Sequence, residues 1–441
     1  LACWQWSFCL VPNARWRVPP WVCWGASHAL RGGCRLAEQR HDYDVVVVGG
    51  GMVGAALACA LAQRDFSVAL LEAREPAFDW NPAGYDLRVS AITRASQQLL
   101  QNLGAWQAML DERATAYQQM HVWDRAGFGE IHFDAADLAE PDLGHIVENR
   151  VIVRALWELL EGSGAQVLVP VRLAALDLSD GGAVLTLDDG RTLNAGLVVG
   201  ADGARSQVRE LAGIASRGQA YDQHAVVATV NAELGNRSTA WQRFMRDGPL
   251  ALLPLQQDLF SIVWSTTPNE AERLCALPED EFNTLLTEAS ESRLGRLTLQ
   301  GARAAFPLRL QHAERYVLPG LALVGDAAHV IHPLAGQGVN LGFLDAGALV
   351  DALVSGRERG RAPGSLATLR RYERTRKGHN TATQLAMDGF KHLFSNDSSV
   401  LSLARNLGLG AAGRLTPLRR LFERIALGQG LELPTLSRPS R

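Results

Sequence analysis

Three glycines and one acid near the start of the chain have the types and spacing needed to hold a dinucleotide. Gly49, Gly51 and Gly54 form the pattern G-x-G-x-x-G, and Glu72 follows 18 residues after the last of them. In this pattern the first glycine makes a tight turn, the second admits a pyrophosphate, and the third lets a helix pack on a strand. The N-terminus of that helix offers N–H groups to phosphates. The acid can accept two ribose hydroxyls. The pattern predicts a dinucleotide site without identifying the dinucleotide.

The motif needs a strand before it and a helix after it, and the sequence supplies both. Residues 44–48 are an acid and four valines, a run typical of a strand buried on both faces. Residues 55–63 read as a helix and residues 67–71 as a second strand. The uncharged run 45–62 reaches the lower limit for a membrane span. Because glycines interrupt it where the valines end, we interpret it as strand, turn and helix. No other stretch is expected to span a bilayer.

Two later segments repeat the design of a strand ending in an acid among small residues. The first is Gly200-Ala201-Asp202-Gly203, and the second is Gly325-Asp326. A carboxylate at such a strand end can bind a ribose or ribityl hydroxyl, although each aspartate alone could be a turn or cap residue. A predicted helix at 341–353 follows the second, and its glycine-rich start can present N–H groups to an anionic flavin edge. The candidate cofactor residues at this start are Pro333, Gly336, Gly338, Val339 and Asn340.

With the three motifs in this order, residues 42–428 resemble the class A flavoprotein aromatic hydroxylases, the group of para-hydroxybenzoate hydroxylase. Residues 200–203 match the family's DG motif, which serves FAD and NADPH, and 325–326 match its GD motif, whose aspartate binds the ribityl chain of FAD. The resemblance implies FAD as the bound cofactor, NADPH (or NADH) as a transient electron donor and O2 as cosubstrate. A single dinucleotide motif fits a donor that binds transiently. Arg205 and Arg209 give weak support for NADPH.

A narrower resemblance links the chain to the ring hydroxylases of ubiquinone biosynthesis. It rests on residues 86–92, 143–149, 306–308 and 325–342. It implies a polyprenyl phenol substrate, places Arg88 near the flavin, and puts Asn149 and Arg154 at positions that contact FAD. The plain alternatives are ion pairs for the two arginines and a helix cap for Asn149. No catalytic base is identified.

The same resemblance does not fix which ring carbon is hydroxylated, but it favours one. Residues 122–124 and 143–149 are closer to the 2-polyprenylphenol C5 hydroxylase, whereas 406–409 look nearer the C6 enzyme. We therefore favour C5, with C6 hydroxylation of a demethoxy ubiquinone precursor as the alternative. Another flavin enzyme, such as a halogenase or prenyl reductase, and a non-catalytic flavin-binding member of a biosynthetic assembly are further alternatives. We find no halogenase W-x-W-x-I-P motif.

The predicted fold class is α/β, with a Rossmann-type FAD-binding domain, an inserted sheet-based substrate domain and a C-terminal helical region. The FAD-binding domain is expected at 42–119, 135–219 and 313–375, the substrate domain at 120–134 and 220–312, and C-terminal helices and tail at 376–441. Within the substrate domain we expect a hairpin at 120–134, strands at 225–230, 250–255 and 259–265, and a helix at 279–290. The substrate is expected between the domains. The candidate apolar lining residues are Trp123, Trp241, Phe244, Phe260 and Trp264, although ordinary core packing is the favoured interpretation of each one taken singly.

Composition excludes several classes of protein. A net charge of −3 shows no basic excess for nucleic acid, and 47% hydrophobic with 20% charged residues excludes wholesale disorder. Four of the six cysteines lie in the first 34 residues. The other two, Cys59 and Cys275, are too few for a disulfide framework or a cysteine metal site, which suggests a reducing compartment. The histidines show no ligand spacing, so no metal is expected.

The two ends of the chain are expected to differ from the body. Residues 1–41 carry five Arg and one acid and lack periodicity, so we interpret them as a non-native or disordered leader, with translation starting near residue 36. A mitochondrial presequence is the alternative. Near the C-terminus, Leu415, Leu418, Phe422 and Ile425 share one helical face flanked by arginines. This helix could pack on the body, contact a membrane or dock a partner, such as a multi-enzyme ubiquinone-biosynthesis complex. The expected location is cytoplasmic, peripheral at the inner membrane face.

Overall fold

Four consecutive valines place the first strand at the centre of a parallel sheet. The computed structural model describes residues 41–82, 84–124, 130–179, 181–331, 338–394 and 432–439. The strands are β1 (Tyr43–Val48), β2 (Val68–Leu71), β3 (Val89–Ile92), β4 (Ala114–Tyr117), β5 (Gln119–Asp124), β6 (Glu130–Asp134), β7 (Gly144–Glu148), β8 (Gln166–Leu168), β9 (Leu173–Ser179), β10 (Gly182–Leu187), β11 (Thr192–Gly200), β12 (Ser216–Ala232), β13 (Thr239–Met245), β14 (Gly248–Pro254), β15 (Leu259–Thr266), β16 (Leu297–Ala313), β17 (Val317–Leu318), β18 (Leu321–Leu323) and β19 (His329–Val330). The helices are α1 (Met52–Ala62), α2 (Arg94–Leu103), α3 (Trp106–Arg113), α4 (Asn149–Glu161), α5 (Gln207–Leu211), α6 (Pro268–Ala276), α7 (Glu279–Ala289), α8 (Gly338–Glu358) and α9 (Leu366–Phe394).

The first sheet has the order β17–β18–β11–β1–β2–β8, with β10 and β9 attached to β11. The strands from β18 to β8 pair in parallel. All four valines of β1 are buried, since helices cover both faces of a sheet of this kind. The carboxyl ends of β1, β11 and β18 therefore lie at one edge, and each predicted motif follows one of these three strands. The predicted Rossmann-type arrangement is confirmed.

The second sheet has the order β19–β16–β12–β15–β14–β13–β5–β6. The predicted hairpin is confirmed as β5 and β6, which pair antiparallel and join β13 at the sheet edge. The two segments predicted to form the substrate domain thus share one sheet. That sheet also includes β19, which lies in a stretch assigned to the FAD-binding domain. The domain limits themselves stay a prediction.

The helices α6 and α7 cover one face of the second sheet. Phe282 and Leu286 of α7 are fully buried against Val226, Phe260 and Ile262 of the sheet. These two helices leave the opposite face of the sheet to meet the cofactor motifs. A third, three-stranded sheet, β3–β7–β4, leads into α4.

One described helix, α8, is long and apolar enough to cross a membrane by length and composition, contrary to the expectation that only 45–62 would approach this limit. In its most apolar stretch, 72% of the residues are buried inside the protein. The helix begins three residues before the predicted start and extends to Glu358. It packs on α1 and α9 as a core helix, and 45–62 forms β1, a glycine turn and α1, as interpreted.

Several predictions lie outside the described residues. They concern the leader, of which only His41 is described, Pro333 and Gly336, the stretch 406–409, and the amphipathic segment from Leu415 to Ile425.

Candidate active site

In the first glycine loop, residues 49–54, backbone segments pack in close contact. Gly49 has φ +108°, and a Cβ there would lie 2.5 Å from the carbonyl oxygen of Ala201. A Cβ on Gly54 would lie 1.9 Å from the carbonyl oxygen of Gly49, so α1 could not approach β1 this closely with any side chain. A Cβ on Gly51 would meet nothing within 4 Å. Gly49 and Gly54 therefore shape the loop, whereas Gly51 leaves space beside the N-terminus of α1, as a bound pyrophosphate requires.

Glu72 lies directly after β2 and is held against this loop. Its Oε2 accepts from the N–H of Gly50 at 2.6 Å, and its Oε1 accepts from the N–H of Arg74 at 3.1 Å. The indole of Trp157 on α4 donates to the carbonyl oxygen of Gly50 at 2.8 Å. An ionised carboxylate has four lone-pair positions, so Glu72 keeps acceptor capacity for ribose hydroxyls.

The DG loop follows β11 and is closed by its own aspartate. The Oδ1 of Asp202 accepts from the Ser206 hydroxyl at 2.5 Å, and its Oδ2 accepts from the N–H of Val208 at 3.0 Å. Burial raises the pKa of Asp202, and these hydrogen bonds partly offset the shift. Asp202 thus caps α5, while its neighbour Gly203 lines the cavity described below.

A buried arginine joins the DG loop to the GD turn. Arg209 is 5% exposed, and its guanidinium donates to the carbonyl oxygens of Ala327 at 2.9 Å and Ala204 at 3.0 Å. Its donors therefore serve the fold. The buried position of Arg209 adds nothing to the weak support that it gave for NADPH binding. Arg205, by contrast, is exposed to solvent.

The GD turn follows β18 and carries Asp326 on the cavity lining. The protein around Asp326 raises the pKa of its carboxyl by desolvation, and the charges of His329 and Arg88 lower it. Opposite this turn, Asn149 begins α4, where its Oδ1 accepts from the Ser90 hydroxyl at 2.7 Å. Asp326, Asn149 and Arg88 thus bring a carboxylate, an amide and a guanidinium from three separate segments to the cavity.

A cavity of about 520 Å³ lies between the motifs and the second sheet. Its lining combines cofactor-motif residues with apolar side chains of the sheet. Of the predicted cofactor residues, the cavity is lined by Gly51, Arg88, Asn149, Gly203, Asp326, Gly338 and Val339. From the sheet it is lined by Ala225, Val227, Leu253, Val263, Phe306, Pro307, Leu308 and Arg309. A cavity thus lies between the cofactor motifs and the second sheet, and the position of the substrate between the domains stays a prediction.

A larger groove of about 870 Å³ lies along α9 and the segment before β18. It is lined by charged residues such as Arg370, Glu373 and Lys377 and by none of the predicted cofactor residues. Because the predicted cofactor residues line the smaller cavity and not this groove, the smaller cavity is the candidate active site.

Other predicted residues lie around the cavity rather than in it. Arg154 forms ion pairs with Glu112 and Glu158 and stacks on Trp80, 4.9 Å from the ring centre. Asn340 is buried, and its amide donates to the carbonyl oxygen of Ala91 at 2.7 Å, which fixes α8 to β3. Gly325 forms the bend of the GD turn. Pro333 and Gly336 lie outside the described residues.

The five aromatic candidates do not line the cavity, and the core packing that was favoured for each of them individually is what the structure shows. Trp241, Phe260 and Trp264 pack on the helix-covered face of the second sheet, and Trp123 meets Trp241 edge to face. Phe244 is buried but does not line the cavity. Side chains alternate between the two faces of a strand, so the neighbour Val263, between Ile262 and Trp264, is the one that reaches the cavity. Ser90 and Arg309 line the cavity but were not predicted as site residues. Arg309 directly follows the stretch 306–308, on which the resemblance to the ubiquinone-pathway hydroxylases partly rests.

Among the described residues no group of three or more His, Cys, Asp or Glu side chains could hold a metal ion. Cys59 and Cys275 are both free thiols, and Cys59 is buried.

Comparison with known proteins gives consistent matches over nearly the whole described body. A family model described as FAD binding domain matches residues 42–386. The chain is 44% identical to the 3-demethoxyubiquinol 3-hydroxylase of Escherichia coli over 386 residues, which cover 87% of this chain and 98% of the relative. It is 40% identical to the mitochondrial ubiquinone biosynthesis monooxygenase COQ6 of Mus musculus, covering 89% of this chain and 94% of the relative.

Two solved structures show the same fold. One is p-nitrophenol 4-monooxygenase PnpA from Pseudomonas putida, with a TM-score of 0.71, 20% identity and coverage of 88% of this chain and 98% of that one. The other is PqsL from P. aeruginosa in complex with 2-aminobenzoylacetate, with a TM-score of 0.70, 23% identity and coverage of 84% and 99%. At these identities the likeness concerns the fold alone.

Substitutions of Gly51 and Gly54 should have separate effects, the first on cofactor binding and the second on folding. A Gly51→Ala substitution should leave thermal unfolding of the apoprotein unchanged, because its Cβ meets nothing and its φ of −68° suits any residue. It should weaken FAD binding by about ten-fold or more, because the methyl occupies the approach of the pyrophosphate. Gly54→Ala should instead destabilise the apoprotein by about 1–3 kcal/mol through overpacking. Apoprotein melting and FAD titration measure both effects. Wild-type FAD affinity in Gly51→Ala would remove this loop as the pyrophosphate site.

Proposed function

This chain belongs to the FAD-binding-domain family of class A flavin monooxygenases, and we propose that it hydroxylates the aromatic ring of a polyprenylated phenol in ubiquinone biosynthesis. It is an FAD-dependent monooxygenase, and enzymes of this class use NAD(P)H and O2. The observation that carries the proposal is the cavity that joins the cofactor motifs to the apolar face of the second sheet. The relatives named above are hydroxylases or monooxygenases, and nothing favours a halogenase or a prenyl reductase.

The residues of this chain bind and orient both reactants. When bound, FAD would supply the redox chemistry that links NAD(P)H and O2 to oxygenation of the ring. The glycine loop and the N-terminus of α1 hold the pyrophosphate, Glu72 holds the adenosine ribose, and Asp326 holds the ribityl chain. The apolar wall formed by Val227, Leu253 and Leu308 keeps water from the reacting atoms.

No catalytic base is assigned. Among the described residues lining the cavity, the ionisable side chains are Arg88, Arg309 and Asp326. A guanidinium group has donors and no acceptor, so neither arginine serves as a base. Arg88 and Arg309 can instead stabilise negative charge on a phenolate or on the cofactor.

Filling the apolar end of the cavity should block the substrate and spare the cofactor. Val263→Trp places a large side chain on the cavity face of β15, opposite the cofactor motifs. We expect FAD affinity within about two-fold of wild type, hydroxylation lowered about ten-fold or more, and NAD(P)H oxidation uncoupled from product formation. Val184→Trp, on an exposed position of β10, is the matched control and should keep wild-type activity. Normal hydroxylation by Val263→Trp would place the substrate elsewhere.

For the ring position we propose C5 of a 2-polyprenylphenol. The support is the likeness of residues 122–124 and 143–149 to the C5 enzymes, and the second stretch ends at Asn149 on the cavity lining. The E. coli relative is named for a demethoxyubiquinol, which keeps C6 hydroxylation of a demethoxy precursor as the second candidate.

Deleting the gene in its host should decide between these positions. Accumulation of 2-polyprenylphenol, identified by mass spectrometry, is expected from C5 hydroxylation. Accumulation of a methylated demethoxy quinone would assign the enzyme to C6. An unchanged amount of ubiquinone in the deletion strain would contradict a non-redundant role in this pathway. Purified protein that binds FAD but oxidises NAD(P)H with no phenol would contradict the enzymatic proposal altogether.

We also propose that the protein works at the cytoplasmic face of the inner membrane, because a polyprenyl substrate resides in the bilayer. The sequence feature that supports contact is the apolar face with flanking arginines at 414–425. We also propose that the protein belongs to a multi-enzyme assembly of ubiquinone biosynthesis.

Removal of the C-terminal segment should reduce membrane binding. A chain truncated before Arg414 should float with anionic liposomes less than the full chain, and the difference should shrink in high salt because the attraction is partly electrostatic. FAD content of both proteins is the control for correct folding. Equal flotation of the two proteins would defeat the membrane role of this segment.

A further inference from the structure

Behind the GD turn lies a carboxylate that no solvent reaches. Asp345, in the middle of α8, is 0% exposed. Its Oδ2 accepts from the N–H of Gly325 at 3.1 Å and lies 2.5 Å from the Nε2 of His329. Its Oδ1 accepts from the Nε of Arg376 at 2.7 Å and from the Nδ2 of Asn380 at 3.1 Å. One buried side chain is thus saturated by four donors from the GD turn, its following strand and α9.

The charge of Asp345 survives burial because of these partners. Burial alone would raise the pKa of its carboxyl, but the charges of His329 and Arg376 and their hydrogen bonds hold the pKa well below its usual range. Arg376 is itself 2% exposed and donates to the Oδ1 of Asn380 at 2.8 Å. Asp345 is therefore ionised at neutral pH, and both of its carboxylate oxygens accept hydrogen bonds.

The geometry gives this cluster a specific effect on the cofactor turn. Gly325 and His329 are the two ends of a five-residue segment, and both meet the same oxygen atom of Asp345. Gly325 has φ +57°, so the chain reverses sharply at this point. Asp326, the next residue, lines the cavity. The direction in which Asp326 faces is therefore set by a segment whose two ends are held on Asp345.

Stability alone does not account for the cluster. Replacing a buried ion pair by apolar side chains of similar volume is often neutral or stabilising, so a buried pair is weak support for a purely structural role. The neighbours of Asp345 along α8, among them Leu344 and Ala346, are apolar. A carboxylate in this place needs another reason, and the GD turn is what it contacts.

We propose that Asp345 and His329 are positioning residues for the cofactor, which act by fixing Asp326 in the orientation that binds the ribityl chain. This rests on the proposed function, in which FAD occupies the cavity and Asp326 contacts it. Neither residue touches the cofactor site directly.

A double-mutant cycle on FAD affinity tests this proposal. The dissociation constant of FAD is measured by flavin fluorescence for wild type, Asp345→Asn, Asp326→Asn and the double variant. Asp345→Asn should weaken binding about ten-fold or more in the wild-type background. In the Asp326→Asn background the same change should have less than about a two-fold effect, because the side chain through which Asp345 acts is already removed. A purely structural residue would weaken binding equally in both backgrounds, and that result would overturn the proposal.

A matched control lies on the same helix. Asp351 accepts from the N–H of Thr435 at 2.8 Å and does not contact the GD turn. Asp351→Asn should leave FAD affinity unchanged while removing the same charge. A loss of FAD affinity equal to that of Asp345→Asn would show a general effect of charge on α8 and would overturn the proposal.

A second pair of variants decides the matter if Asp345→Asn fails to fold. His329→Gln keeps an N–H donor near the position of Nε2, whereas His329→Phe keeps the ring and removes the donor. The glutamine variant should bind FAD close to wild type, and the phenylalanine variant should bind it about ten-fold more weakly. Equal affinities would overturn the proposal. Wild-type affinity in Asp326→Asn would instead show that the cofactor assignment of Asp326 is at fault, and with it the basis of this inference.

Discussion

Close contact between backbone segments, possible only where side chains are absent, is the constraint on which the site depends. Three strands end side by side, and the turns after them crowd together at one edge of the parallel sheet. Gly49 lies against Ala201, Gly54 lies against Gly49, and a Cβ on Gly342 would lie 2.5 Å from Val53. Because these glycines remove the steric barrier, β1, α1 and α8 converge within reach of one cofactor. The polar groups of the cavity are then brought together by the sheet rather than by any long loop.

The cofactor half of the molecule was largely predictable because its signals are local. A run of valines indicates a buried parallel strand, and a glycine pattern directly after it indicates a turn and a helix start. Seven of the predicted cofactor residues line the cavity: five come from these motifs, and Arg88 and Asn149 were supplied by the family resemblance. Asp345 was missed although it gave a signal, namely an acid amid the apolar residues of α8. A lone acid in a helix does not reveal its partners, since Arg376 and His329 reach it only through the tertiary fold.

The substrate half was predicted less well because its essential property is non-local. Four of the eight strands of the second sheet, β5, β6, β14 and β15, were placed within a few residues. Which face of each strand would meet the cofactor was not evident. Large aromatic side chains suggested a substrate pocket, whereas Phe260 and Trp264 instead anchor the sheet to its helices. Smaller neighbours such as Ala225 and Val263 form the cavity wall. The choice between the faces depends on α6 and α7, which lie later in the chain than most of the strands that they cover.

The alternation along β15 has a consequence for how such enzymes diversify. Ile262 belongs to the core beneath the helices, and Val263, the next residue, lies in the cavity wall. Adjacent residues thus serve separate properties: Ile262 contributes to the stability of the fold, and Val263 contributes to the shape of the substrate cavity. A substitution at a cavity-facing position of this sheet can therefore change which substrates fit while the packing beneath the helices stays as it is.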